Sequence, residues 1–471
     1  MLTLVLTILL LYAAYVLAPG LIGGPIMLIG ALMMVVVAFS SIELTLYLLI
    51  LSTLLSPELT FGGATQAQLA SGAVNTTESR GVTLRLDDLL LTLVCVTWMF
   101  RLAIFKELGV VRSTPINQPI AWYWLAALFA TLIGIFAGRV GGYGFFFIIK
   151  YLEFFVLFYM IINHLTDEAS IKRYLLIMLI TCVLASLAGI AQIPSGARVS
   201  APFEGEMGEP NSFGGYLVLM FSVVLGMFLY AKKGQQWYLL LFSMVVMLVP
   251  LAFTESRSSY LSFVVAILFF IFLSRKKFLL ITSCLVGIAI LPFILPQNVI
   301  DRVMFTFNQS KQQGQLAVGG MNIDTSTTER LKSWENVLTK YFPKHPLLGV
   351  GVTGGPFLDA QYPRVLLETG MIGLVLFLWF LRRVWVLLRQ CYDEIKDPML
   401  KGASLGAICG FAGLLVHGIG ANTFIIVRIM EPFMILIGLL MAALFLERES
   451  RVKEGEQNTL QSDGSPQVLL R

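Results

Sequence analysis

The chain is a near-continuous succession of apolar runs, at 2–18, 21–39, 42–55, 88–105, 119–138, 143–163, 173–193, 213–231, 237–254, 259–273, 277–296, 363–388, 401–421 and 423–446. A bilayer core takes about 20 helical residues per crossing, so fourteen crossings would use roughly 280 positions. That share suits a chain of 471 residues that is 57% hydrophobic. Only 13% of the residues are charged, against about 25% in soluble domains. The deficit excludes an ordinary cytosolic enzyme, a disordered chain and a nucleic-acid binder. Runs 42–55 and 259–273 are short, and some others abut. The expectation is therefore an all-α integral membrane protein with about 12–14 transmembrane helices.

The first 18 residues lack the basic segment of a secretory signal, and further spans follow at once. Of the five cysteines, Cys95, Cys182, Cys284 and Cys409 lie in apolar runs and Cys391 in a basic loop. None is at metal-ligand spacing. No disulfide is expected in the long polar loop, which has no cysteine. No sequence repeat is visible.

Lysines and arginines orient the spans, because short cytoplasmic loops concentrate them. With the N-terminus in the cytoplasm, nineteen of the 33 basic residues fall on the inner side. The short outer loops then hold only Arg139, Arg198 and Arg257. Both termini are expected in the cytoplasm, and residues 297–362 form one large outer, periplasmic loop. Three stretches follow: N-terminal spans 1–200, a second membrane region 201–446 that includes the loop, and a polar cytoplasmic tail 447–471.

The loop contains a readable helix in STTERLKSWENVLTKYF. Ser326 and Glu329 have the spacing of a capping box. Leu331, Trp334, Val337, Leu338, Tyr341 and Phe342 share a face, and Pro343 and Pro346 stop the helix. Arg330 projects into the apolar arc, where a guanidinium needs a partner or snorkels from the first turn.

Polar residues gather at one depth, the outer side. Glu209, Pro210 and Asn211 precede the eighth run, and Glu255 and Arg257 separate the ninth and tenth. Asp359, Arg364 and Glu368 lie where the loop re-enters, and His417, Asn422, Arg428 and Glu431 flank the last outer turn. Lys150 and Glu153 are i,i+3 partners on the sixth run. Arginine forks match phosphate oxygens bidentately, so the arrangement fits the diphosphate of an outer-leaflet lipid. Blander readings stand beside this one. Lys150–Glu153 and Arg428–Glu431 also read as structural ion pairs. Asp87 and Asp88 read either as paired metal-binding acids or as carboxylates at a helix start. His345 reads as a solvated loop residue, and His417 as a packing histidine or a base. GVGVTGG lacks the lysine and the context of a P-loop, so no nucleotide, metal or other cofactor is expected.

Four segments together resemble the O-antigen ligase/polymerase superfamily of bacterial glycan enzymes. They are GEPNSFGGYL at 208–217, TESRSSYLSF at 254–263, TTERLKSWENVLTKYFPKHPLLGVG at 327–351 and DAQYPRVLLETGMIGLVLFL at 359–378. The resemblance covers residues 200–445 and implies a GT-C-like membrane fold. It also implies a metal-independent, inverting glycosyltransferase whose donor is an undecaprenyl-diphosphate-linked oligosaccharide, working at the outer face of the inner membrane. Arg257 and Arg330 match family arginines that engage the diphosphate, stabilising charge on the departing group. Glu368 closes a motif that begins with His-Asn in the ligases. Asp359 and Ala360 stand at those two positions here. An aspartate can act as base in a partly apolar site, and the change points to the polymerase branch.

The candidate catalytic residues are thus Asp359, Arg257, Arg330 and Glu368. The candidate substrate-binding residues are Asn211, Arg198, Arg364, Lys150, Glu153, His417 and Arg428. Expected partners are the lipid-linked oligosaccharide, membrane lipids and a chain-length regulator. The alternatives are an O-antigen ligase acting on lipid A-core or another acceptor, a secondary transporter, and a scaffold for glycan assembly.

Overall fold

The computed structural model describes residues 41–56, 58–61, 82–105, 112–142, 144–203, 208–294, 317–318, 321–322 and 325–463. The expected spans 2–18 and 21–39 lie outside the described residues. The other twelve apolar runs are all helices. They are α1 (Ile42–Leu55), α2 (Leu86–Phe105), α3 (Asn117–Phe136), α4 (Gly144–His164), α5 (Glu168–Gln192), α6 (Pro210–Tyr230), α7 (Gln235–Phe253), α8 (Arg257–Leu273), α9 (Lys277–Ile294), α11 (Gln361–Glu394), α12 (Pro398–Gly420) and α13 (Val427–Asp463). The loop helix, Thr325–Asn336, is α10. Among the described residues, eight helices are long and apolar enough to cross a membrane, and three shorter apolar helices accompany them. The protein is a helical multi-pass membrane protein.

Its described strands form two short antiparallel pairs. One pairs β1 (Glu58–Phe61) with β2 (Val82–Arg85), and the other pairs β3 (Ala317–Val318) with β4 (Met321–Asn322).

Two compact units divide the chain, one of residues 1–112 with 202–205 and one of residues 113–201 with 206–471. In the first, α1 packs on α2, and the Arg85 guanidinium donates to the Thr53 carbonyl at 2.5 Å. The Asp88 carboxylate accepts from the Arg85 amide at 2.8 Å, as a carboxylate at a helix start does. The side chain of Asp87 lies outside the described residues.

The second unit is built around α6, α12 and α13. In α6, 94% of the most apolar stretch is buried, against 33% in α7. The contact between α6 and α12 is made by small residues. Gly402, Gly406 and Gly410 recur at four-residue spacing and face Ser222 and Gly226. A Cβ on Gly402 would lie 2.6 Å from the Gly226 carbonyl oxygen, and one on Gly406 2.5 Å from the Val223 Cα. Lipid tails are as apolar as leucine, so close backbone packing rather than hydrophobicity drives such contacts. Polar side chains set the helix starts. Asp167, Ser256 and Asp397 cap α5, α8 and α12 by accepting from the amides of Ser170, Ser259 and Leu400.

Two helices depart from the expected pattern. α13 does not stop where its apolar run ends but continues through the polar stretch to Asp463. There Arg448 reaches Glu394 at 2.6 Å, at the far end of α11. α11 has 34 residues, about 51 Å at 1.5 Å per residue, too long for a single crossing. It is interrupted at Gly370, where φ is +65°. The segment 371–394 is long enough to span alone, which frees 361–369 to serve as a separate half-helix.

The loop helix corrects two expectations. α10 begins at Thr325, so Ser326 lies inside the first turn instead of capping it. The predicted apolar face is also divided. Val337 is fully buried, while Leu331 and Leu338 are exposed. Over Val337–Tyr341 the helix shifts to π-helical turns, with the Phe342 amide bonded to the Val337 carbonyl. The wider turn rotates Tyr341 and Phe342 onto a cluster of Val337, Val350, Leu358, Leu366 and Leu367.

Candidate active site

At the start of α11 the chain is joined to its own loop by backbone hydrogen bonds. The Val350 and Gly351 amides donate to the Leu367 and Glu368 carbonyls, each at 2.9 Å. On the other side of the break, the Met371 and Ile372 amides donate to the Pro346 and Leu347 carbonyls at 2.9 and 3.2 Å. The loop thus supplies the partners that a continuous helix would have supplied itself. Both glycines at the joint are required. Gly349 and Gly370 have φ of +66° and +65°, and a Cβ on either would press into the opposing backbone within 2.6 Å.

This joint fixes the loop that carries Asp359. Arg330, on α10, reaches Asp359 with Nη2 to Oδ2 at 3.2 Å. Two candidates 29 residues apart therefore form one ion pair. The guanidinium that enters the apolar arc finds its partner there, with 23% of its side chain exposed against 41% for Asp359. The pair is half-sheltered and reachable, as a site for a charged ligand must be.

Arg364 and Glu368 form a second pair. Arg364 Nε donates to Glu368 Oε1 at 3.0 Å, with both side chains about one-tenth exposed. The same oxygen accepts from the Thr353 amide at 3.4 Å, and Oε2 accepts from the Tyr151 hydroxyl at 3.5 Å. Thr353 has φ of +66°, unusual for a β-branched residue. Glu368 is thus held by donors from three elements: α4, the loop and α11 itself.

A third group joins α6, α8 and α12. The Asn211 Oδ1 accepts from Ser256 Oγ at 2.7 Å, and Ser259 Oγ donates to Ser256 Oγ at 2.8 Å. Fully buried His417 continues the chain, with Nε2 3.2 Å from Ser259 Oγ and Nδ1 2.8 Å from Thr423 Oγ1. With the Ser259 proton given to Ser256, this chain suits a neutral His417 that donates from Nε2 and accepts at Nδ1 from the Thr423 hydroxyl. Gly215 leaves room for the ring; a Cβ there would lie 3.1 Å from Cε1. Arg257 is the first residue of α8, directly after the capping Ser256.

The last turn is tied to the loop as well. Asn422 Nδ2 donates to the Leu358 carbonyl at 2.8 Å, and Gln361 Oε1 accepts from the Thr423 and Phe424 amides at 3.0 and 2.9 Å.

The remaining candidates occupy other places. Arg198 donates to the Thr254 and Glu255 carbonyls at 3.0 and 3.3 Å, where Glu255 has φ of +49°. It braces the turn that precedes Arg257. Lys150 and Glu153 pair with each other on α4 at 3.8 Å. Arg428 is 2% exposed in the first turn of α13, one turn before fully buried Glu431. His345 contacts the Arg139 guanidinium at 3.3 Å. Slight burial, Arg139 and Lys344 together hold its pKa below the usual 6.5.

Sequence reasoning missed Ser256, Ser259, Thr423 and Gln361. Serine, threonine and glutamine inside apolar runs give no periodic signal. The only sequence cue was their crowding beside residues already singled out, as in TESRSS.

A family model described as O-antigen ligase matches residues 242–378, which supports the O-antigen ligase/polymerase superfamily for this chain. The matched stretch contains Arg257, Arg330, Asp359, Arg364 and Glu368. No curated protein matches the chain in sequence.

Proposed function

From an O-antigen ligase-family segment within a multi-pass membrane protein, we propose a glycosyltransferase that polymerises undecaprenyl-diphosphate-linked oligosaccharide repeats at the outer face of the inner membrane, with both termini cytoplasmic. The observation that carries this reading is the Arg330–Asp359 pair at 3.2 Å. It places a phosphate-matching fork and a proton acceptor side by side at the end of the bundle that bears the loop. The Asp359 carboxylate takes the proton of the acceptor hydroxyl, whose oxygen attacks the anomeric carbon of the donor. The bond from that carbon to the diphosphate breaks with inversion, and the leaving diphosphate carries away the electron pair. Arg330 and Arg257 stabilise the charge that grows on it, without a metal. Such preorganised donors act where charge develops and need no reorganisation during the reaction. Asn211 and His417 hold the start of α8 and so the position of Arg257.

Purified protein given a lipid-diphosphate oligosaccharide should yield longer lipid-linked chains. Arg257→Ala and Arg330→Ala should each abolish that product, and full activity in both would end the diphosphate assignment. Ligation is the second reading, favoured by the description of the family model. Candidate acceptors supplied one at a time separate the two. Extension of a second lipid-linked repeat identifies a polymerase, and transfer to lipid A-core identifies a ligase.

A further inference from the structure

Glu368 stands in the matched motif, and its carboxylate invites assignment as acid or base. Its surroundings argue for another role. The side chain is about 9% exposed, paired with Arg364, and also takes hydrogen bonds from the Thr353 amide and the Tyr151 hydroxyl. A carboxylate so occupied has little free acceptor capacity for a substrate proton. Its backbone carbonyl is occupied as well, by the Gly351 amide. Glu368 therefore grips residues 351–353 twice, once through the main chain and once through the side chain. The gripped segment leads through Leu358, packed against Val337 of the π turn, to Asp359, which pairs with Arg330. Loop, half-helix and α10 form one continuous assembly, and Glu368 clasps it at the break.

We propose that Glu368 is a positioning residue: its carboxylate locks residues 351–353 onto the broken start of α11 and thereby sets the geometry of the Arg330–Asp359 pair. The catalytic part of this inference rests on the glycosyl-transfer reading above; the clasp itself does not. Misplacing a reacting group by about 1 Å costs about 100-fold in rate, so the clasp can control turnover without touching substrate.

Glu368→Gln and Glu368→Ala separate the roles. Glutamine keeps an oxygen that accepts from Thr353 and Arg364. Alanine keeps none; both variants remove the counter-charge of Arg364, and only glutamine leaves it a hydrogen-bond acceptor. The positioning role predicts that Glu368→Gln stays within about 10-fold of wild-type kcat while Glu368→Ala falls about 100-fold with KM unchanged. The pH profile of Glu368→Gln should match that of wild type. Hydrogen exchange should show the Val350 and Gly351 amides protected in wild type and Glu368→Gln, and unprotected in Glu368→Ala. If Glu368→Ala does not accumulate, Tyr151→Phe replaces it. That variant removes one donor and no charge, so kcat should fall about 3-fold with faster exchange at the same amides. Equal loss in the glutamine and alanine variants, with a pH limb gone and both amides still protected, would make Glu368 the proton-transfer group and overturn the proposal. Unchanged exchange in every variant would overturn it too. If wild-type protein transfers no glycan, the glycosyl-transfer reading fails, and the exchange measurements still decide the clasp.

Discussion

The seam between α6 and α12 and the break in α11 are both close backbone approaches, built by opposite means. At the seam two intact helices touch because Gly226, Gly402 and Gly406 have no side chain to hold them apart. At the break a helix gives up its own ladder and another segment's peptide groups complete it. The atoms nearest the seam glycines are backbone. The half-helix before the break carries Arg364–Glu368, and Asp359, just ahead of it, pairs with Arg330. Steric contact fixes where a helix lies, while a hydrogen-bonded joint also fixes the direction of the side chains beside it. The molecule uses the first for its frame and the second for its chemistry.

Arg330→Ala tests the chemical side and has the largest expected effect, a loss of roughly 100- to 1,000-fold in kcat. The melting temperature should stay near that of wild type, because Asp359 is 41% exposed and tolerates losing its partner. A variant that unfolds instead would show the pair to be part of the frame. Gly406→Leu tests the seam. Prying α6 from α12 should cost about 3 kcal/mol, read as a lower unfolding temperature in detergent, and whatever stays folded should keep its turnover. Unaltered stability would mean that the close contact does not hold the helices.

His417→Ala lies between the two regions, since its partners Ser259 and Thr423 brace the starts of α8 and the last turn. It should cost about 1–3 kcal/mol in stability and lower turnover by misplacing Arg257. An effect on stability alone would assign His417 to the frame. The smallest effect is expected at the start of α12. Burial alone raises the Asp397 carboxyl, but Lys172 at 2.7 Å and the Leu400 amide outweigh it and hold the value below 3.8. A depressed folded-state pKa stabilises above the unfolded value, and that stability is lost as pH falls through the folded value. Acidification from about pH 6 to about pH 3 should therefore destabilise wild type more than Asp397→Asn, by less than about 1 kcal/mol for a partly exposed pair. An equal response in both would remove Asp397 from the frame.

The helices were legible because long apolar runs have few other outcomes, and twelve of them appear where the runs lie. Arg330 and Asp359 were legible singly, as charges that apolar surroundings make conspicuous. Their pairing was not, because it depends on the path of the chain through 343–358. The interruption at Gly370 was hidden for a different reason. Glu-Thr-Gly within an apolar run reads as uninterrupted helix, and only the loop that fills the gap reveals it. The loop helix was read with one regular face because periodicity assumes 3.6 residues per turn. The π segment at Val337–Tyr341 breaks that assumption for the residues that follow it, Tyr341 and Phe342.

The joint at Gly370 behaves like a short piece of sheet in one respect, because its pairing has a register. Residues 346–351 meet 367–372 through four bonds, two on each side of the break. Slippage by one residue would present the wrong peptide groups and move Gly349 off the only site that accepts its backbone. Most loops in membrane proteins absorb insertions with little penalty. This one should refuse even a single added or deleted residue between Pro346 and Gly351, while lengthening the same loop before Thr325 leaves the pairing intact.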